Sequence, residues 1–188
     1  MRSTKLLLGA ALVVTSVVAC TPVPYNQNTN NDTTKPKVAL RVEGAGPNAV
    51  EVTNFIPGQL QNKNAVANPN ATVKLLATAT DNESGIKEIK LNVTRTVKFI
   101  ASNGSLTEAR MATKLVDSRT YALNNGQAPS MGAIQVTVKP SDEFVFTNAN
   151  GTTLTGVGVV LEYSVEGKNF AGLGDYTERL TVSSGRLQ

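Results

Sequence analysis

Apolar and polar side chains alternate with a period of two through most of the chain beyond residue 37. Val73, Leu75, Ala77 and Ala79 take turns with Lys74, Leu76, Thr78 and Thr80. Ile89, Leu91, Val93, Val97 and Phe99 share a second face, with Arg95 the one offender, and Ile134, Val136 and Val138 a third. Val157, Val159, Leu161, Tyr163 and Val165 follow, then Tyr176, Leu180 and Val182 with Glu178 out of place. Successive side chains of a strand point to opposite faces, so this pattern, rich in Val and Thr, predicts half-buried antiparallel strands. Arg95 is expected at a bulge or an edge, where its long stem reaches solvent. No stretch beyond residue 20 carries a helical stripe.

Asn-Gly pairs at 103–104, 125–126 and 150–151 punctuate the alternating runs. Both residue types accept the positive φ that tight hairpin turns require. The first pair predicts a hairpin between 87–100 and 106–116, and the last a hairpin between 143–147 and 154–166. Asn124 to Met131 reads as a longer loop. About 8–10 strands with little helix make an all-β sandwich or barrel, and a body of about 150 residues buries roughly 68–70% of its unfolded surface. The single cysteine, Cys20, allows no internal disulfide, so the core holds the fold alone.

The N-terminus is of another kind. Arg2 and Lys5 precede an apolar run from Leu6 to Ala19, which ends in Val17-Val18-Ala19-Cys20. The run is shorter than the roughly 20 residues a spanning helix needs and reads as a signal-peptide core. Small residues running into a cysteine resemble the lipobox of bacterial lipoproteins. The resemblance implies cleavage after Ala19 and a diacylglycerol thioether on Cys20, often with acylation of the freed amine. Two or three chains, at about 0.8 kcal/mol per buried methylene, anchor a small domain stably. Thr21 stands where an inner-membrane retention signal has Asp. The implied address is therefore the cell envelope: the outer membrane in a cell with two membranes, otherwise the outer face of the plasma membrane.

Residues 1–19 are thus expected to be a signal peptide, and 20–37 a lipidated cysteine with a disordered tether of Thr, Asn and Pro. The body is 38–188. Losing Arg2 and Lys5 with the signal takes the 18 basic residues to 16 against 14 acids. No dense Lys/Arg block remains, so nucleic acid is not an expected partner.

Ala71 to Val93, ATVKLLATATDNESGIKEIKLNV, resembles strands B and C of bacterial immunoglobulin-like domains. Gly167 to Val182, GKNFAGLGDYTERLTV, is similar to their closing hairpin, with Asn169, Ala171 and Gly172 in its turn. KPKVALRVEG, from Lys35, fits an opening strand. The resemblance implies an immunoglobulin-like antiparallel β-sandwich and says little of function, because such sandwiches host unrelated activities.

The chemistry is sparse. Without His, and with Cys20 as the one thiol, no His-based general base, zinc site or downstream thiol nucleophile exists. Ser84-Gly85-Ile86-Lys87 matches S-x-x-K, but in a turn rather than on a helix face, and without a Lys-Thr-Gly element. In the immunoglobulin topology the B–C and F–G loops emerge at one end. Asp81, Glu83 and Asp175 would then meet as oxygen ligands for Ca²⁺, against the plainer reading of Asp and Asn as turn residues. The same end makes Asn82, Ser84, Asn169 and Phe170 candidate binding residues. No cofactor is otherwise expected. Carbohydrate stacking is weakened by the lack of Trp, although Tyr121, Tyr163 and Tyr176 could contribute.

The expected function is therefore non-enzymatic: a lipid-anchored envelope protein presenting a binding module to a protein or cell-wall partner, through the loop end or a sheet edge. A structural envelope or assembly component without a diffusible ligand, and a calcium-stabilised module, are the alternatives.

Overall fold

The computed structural model describes residues 22–24, 32–57, 59, 63–148 and 150–185. Cys20 and its preceding run lie outside the described residues. The strands are β1 (Val23–Pro24), β2 (Lys37–Glu43), β3 (Val50–Thr53), β4 (Lys63–Val66) and β5 (Val73–Thr80). Next come β6 (Ile86–Ile100), β7 (Leu106–Arg110), β8 (Lys114–Thr120), β9 (Gln127–Ala128) and β10 (Met131–Val138). A 3₁₀ turn at Pro140–Glu143 leads to β11 (Val145–Thr147), β12 (Thr153–Thr155), β13 (Gly158–Asn169), β14 (Gly174–Tyr176) and β15 (Leu180–Gly185). No described residue is in an α-helix.

Two sheets face each other. The first runs β10-β5-β2-β3 and the second β4-β15-β13-β6-β7, with β14 also against β13 and β8 also against β6. Every pair in them is antiparallel except β4 with β15, which is parallel. The alternation does what the chemistry requires: Val38, Leu40 and Val42 on β2 and Val73, Leu75, Ala77 and Ala79 on β5 turn inward and are buried. Ile89 and Leu91 of β6 and Leu161 and Val165 of β13 meet them from the other sheet. Fully burying side chains of this size stabilises by about 1.5–3 kcal/mol each, which is how an all-β body without a disulfide holds together.

The strands are more numerous than the 8–10 expected, because long strands are broken into short pieces. β14 and β15 are one strand interrupted at Thr177, whose Oγ1 accepts the Val165 N–H at 3.0 Å in place of a ladder carbonyl. That interruption shifts the pattern, so Tyr176 stands 49% exposed rather than in the core with Leu180 and Val182. The expected single strand 154–166 is likewise broken at 156–157. There a Cβ on Gly156 would collide with Val97, so the chain passes close over β6 before β13 begins.

Arg95 is not at an edge, but the ladder on the β7–β8 side slips by one residue across it, from Val93↔Lys114 to Thr96↔Arg110. It lies within β6, opposite Leu161 of β13, on the inward face. The register irregularity of this pair falls at Lys168/Asn169, and that of β6 with β8 at Leu91/Asn92. Arg95 is tolerated because Nη1 reaches Glu143 Oε2 at 2.9 Å and the Val145 carbonyl at 3.3 Å, both from the segment that caps this end of the core. Phe146 on the same cap packs on Phe99, ring centroids 5.1 Å apart. Burial, and then the charge of Glu143, raise the phenol pKa of the neighbouring Tyr163.

The turns sort differently from expectation. Asn125 and Gly126, expected in a loop, both take positive φ (50° and 72°) in a two-residue turn, with Asn124 and Gln127 exchanging N–H···O bonds. At 103–104 and 150–151 only the glycine has positive φ. There Asn103 and Asn148 use their side chains instead, accepting the N–H of Ser105 at 3.0 Å and of Thr152 at 2.9 Å.

Part of the expected tether is body. Val23–Pro24 pairs with Gln127–Ala128, Pro36 is buried, and Thr34 Oγ1 donates to Glu83 Oε1 at 2.9 Å. Thr, Asn and Pro are poor core formers, and these residues dock through hydrogen bonds that composition does not advertise.

Candidate functional site

The loop between β5 and β6 folds around one carboxylate. Asp81 Oδ1 accepts the N–H groups of Glu83, Ser84 and Gly85 at 3.0, 2.8 and 3.1 Å. Its Oδ2 accepts from Asn169 Nδ2 at 3.0 Å, joining this loop to the β13–β14 turn. Asn169 Nδ2 also reaches Asp32 Oδ2 and the Thr34 carbonyl, while its Oδ1 takes the Leu173 N–H at 2.8 Å. Asp81, Ser84 and Asn169 are all buried. At Asp32, burial pushes the carboxyl pKa up. Hydrogen bonds, the Thr34 N–H at 2.8 Å among them, outweigh that and hold it below the ordinary range.

Of the candidate loop-end residues, the structure therefore brings Ser84 and Asn169 together as interior parts, with Asn169 consumed by four bonds. Asn82 is exposed and Phe170 half-buried, its N–H on the Gly85 carbonyl at 3.0 Å. Asp81, Glu83 and Asp175 do not gather. Asp175 Oδ2 instead accepts from Asn54 Nδ2 at 2.8 Å, and Oδ1 accepts the Tyr176 N–H at 2.9 Å. No group of three or more acidic side chains able to hold a metal ion occurs among the described residues. Asp81 is here a turn former that accepts three N–H groups of its own loop.

A second surface is not legible in the sequence. Where the chain crosses from β3 to the other sheet, the Phe55 N–H donates to the Tyr176 carbonyl at 2.8 Å, and the two rings stack at 5.2 Å and 16°. They border a groove of about 400 Å³ on the outer face of the second sheet, shared with Glu162, Ser164, Glu166 and Glu178–Arg179. Glu162 lies between Arg110 (2.7 Å) and Arg179 (3.6 Å). The Arg110 contact is an ion pair of poor hydrogen-bond alignment, since Glu162 Oε2 has no well-aligned donor. Glu178 Oε1 is buried with no hydrogen-bond partner among the described residues. Only its appearance as the misplaced acid of its strand could have pointed to it. Of the three candidate tyrosines, Tyr163 is in the core and the Tyr121 hydroxyl accepts the Ala133 N–H at 3.0 Å, which leaves Tyr176.

No protein-family model matches the chain. No curated protein matches it either. Among solved structures it is similar to the sporulation control protein Spo0M of Bacillus subtilis at 13% identity and a TM-score of 0.34, covering 79% of this chain and 49% of that one. It is also similar to a β-glucosidase of Listeria innocua, solved with gluconolactone, at 14% identity and a TM-score of 0.33, covering 64% of this chain and 14% of the enzyme. At these values neither carries its function over to this chain.

Proposed function

We propose that this chain is a lipid-anchored cell-envelope protein whose body is an immunoglobulin-like, non-enzymatic binding module. The anchor rests on the lipobox-like residues ending at Cys20. The fold type is supported by strand order: β2, β5 and β10 on one sheet, β6, β13 and β15 on the other, and a crossing segment whose β4 runs parallel to the last strand. The observation that carries binding is the Phe55–Tyr176 platform beside the unpaired Glu178 Oε1. An aromatic face next to a desolvated acceptor suits a ligand with apolar C–H faces and O–H donors, the chemistry of a cell-wall glycan. At the loop end Asp81 and Asn169 spend their polar groups on each other and on the backbone, and among the described residues that end lacks an aromatic platform beside its one buried unpaired atom, Ser84 Oγ.

Two measurements test the reading. Cys20→Ser should leave the chain without its diacylglyceryl mass and release it from membranes; full membrane retention of that variant would refute the anchor. Isolated cell-wall glycan should sediment the wild-type protein and not Tyr176→Ala, whose exposed ring contributes little to the core. Equal sedimentation of both, or of neither, refutes the groove as the binding surface.

A further inference from the structure

We propose that the N-terminal segment is a strap rather than a spacer, and that it holds the Asp81–Gly85 end of the sandwich against the lipid headgroups of the membrane that carries Cys20. The inference rests on the anchoring reading above.

Three observations place the strap. β1 pairs with β9, Val23 opposite Ala128 and Pro24 opposite Gln127. The seat for this pair is built around Gly85, at φ +74°. A side chain there would collide with Ala128 Cβ and stand 2.9 Å from Val23 Cγ2. The chain docks again at the same end further on, where Asn169 Nδ2 holds Asp32 Oδ2 at 3.2 Å and the Thr34 carbonyl at 3.1 Å. Both attachments sit beside the β5–β6 loop, where Ile86 N–H meets the Pro129 carbonyl at 2.7 Å.

Length then sets orientation. A free tether of residues 21–37 would span up to about 55–60 Å, enough for the body to tumble above the bilayer. With β1 docked, Cys20 is three Cα steps from Val23, at most about 11 Å of chain. That is comparable with the headgroup layer itself, roughly 5–8 Å deep on each side. The β6–β7 turn at 101–105 lies at the other end of β6, whose fifteen residues span up to about 50 Å. Lys35 and Lys37, exposed beside Asp81, Asn82 and Glu83 and without an ion pair among the described residues, supply ammonium groups for lipid phosphates, and the Glu83 carboxylate suits the ammonium of an ethanolamine headgroup. The flank groove and the apolar hollow of about 310 Å³ lined by Val66, Leu106, Val157 and Gly158 are left clear of the membrane.

Docking and orientation are separable by experiment. In the full chain carrying Cys20→Ser, the pair Pro24→Cys and Gln127→Cys should close a disulfide under mild oxidation. Failure to cross-link overturns the strap whatever the fate of Cys20. In the lipidated chain the thiol of Cys20 is consumed, so Asn82→Cys or Ser102→Cys offers a single site for a fluorophore. On phosphatidylethanolamine–phosphatidylglycerol vesicles with a headgroup-attached quencher, the label at 82 should lose most of its fluorescence and the label at 102 should keep it. Equal quenching in a chain whose mass shows the diacylglyceryl group overturns the orientation alone. A chain without that mass overturns the anchor, and the orientation with it.

Discussion

Asn169 and Asp81, 88 residues apart in sequence, meet in the interior through a single 3.0 Å hydrogen bond from Nδ2 to Oδ2. Each is also the hub of its own loop, so this contact, with the Phe170 N–H on the Gly85 carbonyl, fixes the relative position of the β5–β6 and β13–β14 connections. Buried polar groups of this kind contribute little net stability when satisfied and cost much when one partner is lost. Asn169→Ala strands the Leu173 N–H and the Thr34 carbonyl and leaves Asp81 Oδ2 short of a donor. A loss of about 2–4 kcal/mol in urea unfolding is expected; a loss below about 0.5 kcal/mol would show that water replaces the amide.

Asp32 gives a pH signature. Its carboxyl is held below the ordinary range in the folded chain, so the carboxylate stabilises the fold above the unfolded-state pKa, near 3.9, and that contribution disappears as pH falls through the folded value. Asp32→Asn should therefore lower Tm at pH 7 and converge with the wild type in acid. Melting curves at pH 7 and pH 3 check it; a difference that grows in acid would contradict the sign.

Gly85 and Gly104 both take positive φ, yet they should respond differently to alanine. At Gly104 no atom lies within 4 Å of the place a Cβ would occupy, so Gly104→Ala carries the conformational penalty alone, about 1–2 kcal/mol. Gly85→Ala adds the collision with Ala128 and the approach to Val23, about 2–5 kcal/mol in all. Chemical denaturation of the two variants compares them directly, and equal losses would mean the β1–β9 seat yields easily.

Arg95 tests the cap. Arg95→Ala removes the ion pair to Glu143, whose side chain is 32% exposed, and the packing of its own stem. With that solvent screening the expected cost is about 1–2 kcal/mol. The double variant Arg95→Met with Glu143→Gln should recover most of it by keeping the stem and removing the unpaired charge. A double variant no better than Arg95→Ala would place the loss in the backbone of the 140–145 segment instead.

Whatever solvent alone dictates is legible in the sequence. β2, β5 and β13 have inward faces of Val, Leu, Ala and Tyr and need no partner to be recognised. Arg95 defeats the pattern because its partner lies 48 residues away, and no local signal announces Glu143. Asp81 and Asn169 look like surface turn residues, which is what their composition suggests until the contact between the two loops buries them. Asp32–Pro36 and Val23–Pro24 read as tether for the same reason: Thr, Asn and Pro give no apolar stripe, and these segments are held by hydrogen bonds to distant atoms. The Phe55–Tyr176 pair arises from a crossing between sheets, which periodicity does not report.

The parallel pairing of β4 with β15 has a consequence in time. Ala65 meets Val182, so that edge closes a loop of over about 100 residues and forms only after the final strand is available. Until β15 has been made, β4 has no partner in the second sheet. On the proposed route to the envelope, the second sheet would stay open along β4 until β15 has crossed with the rest of the chain.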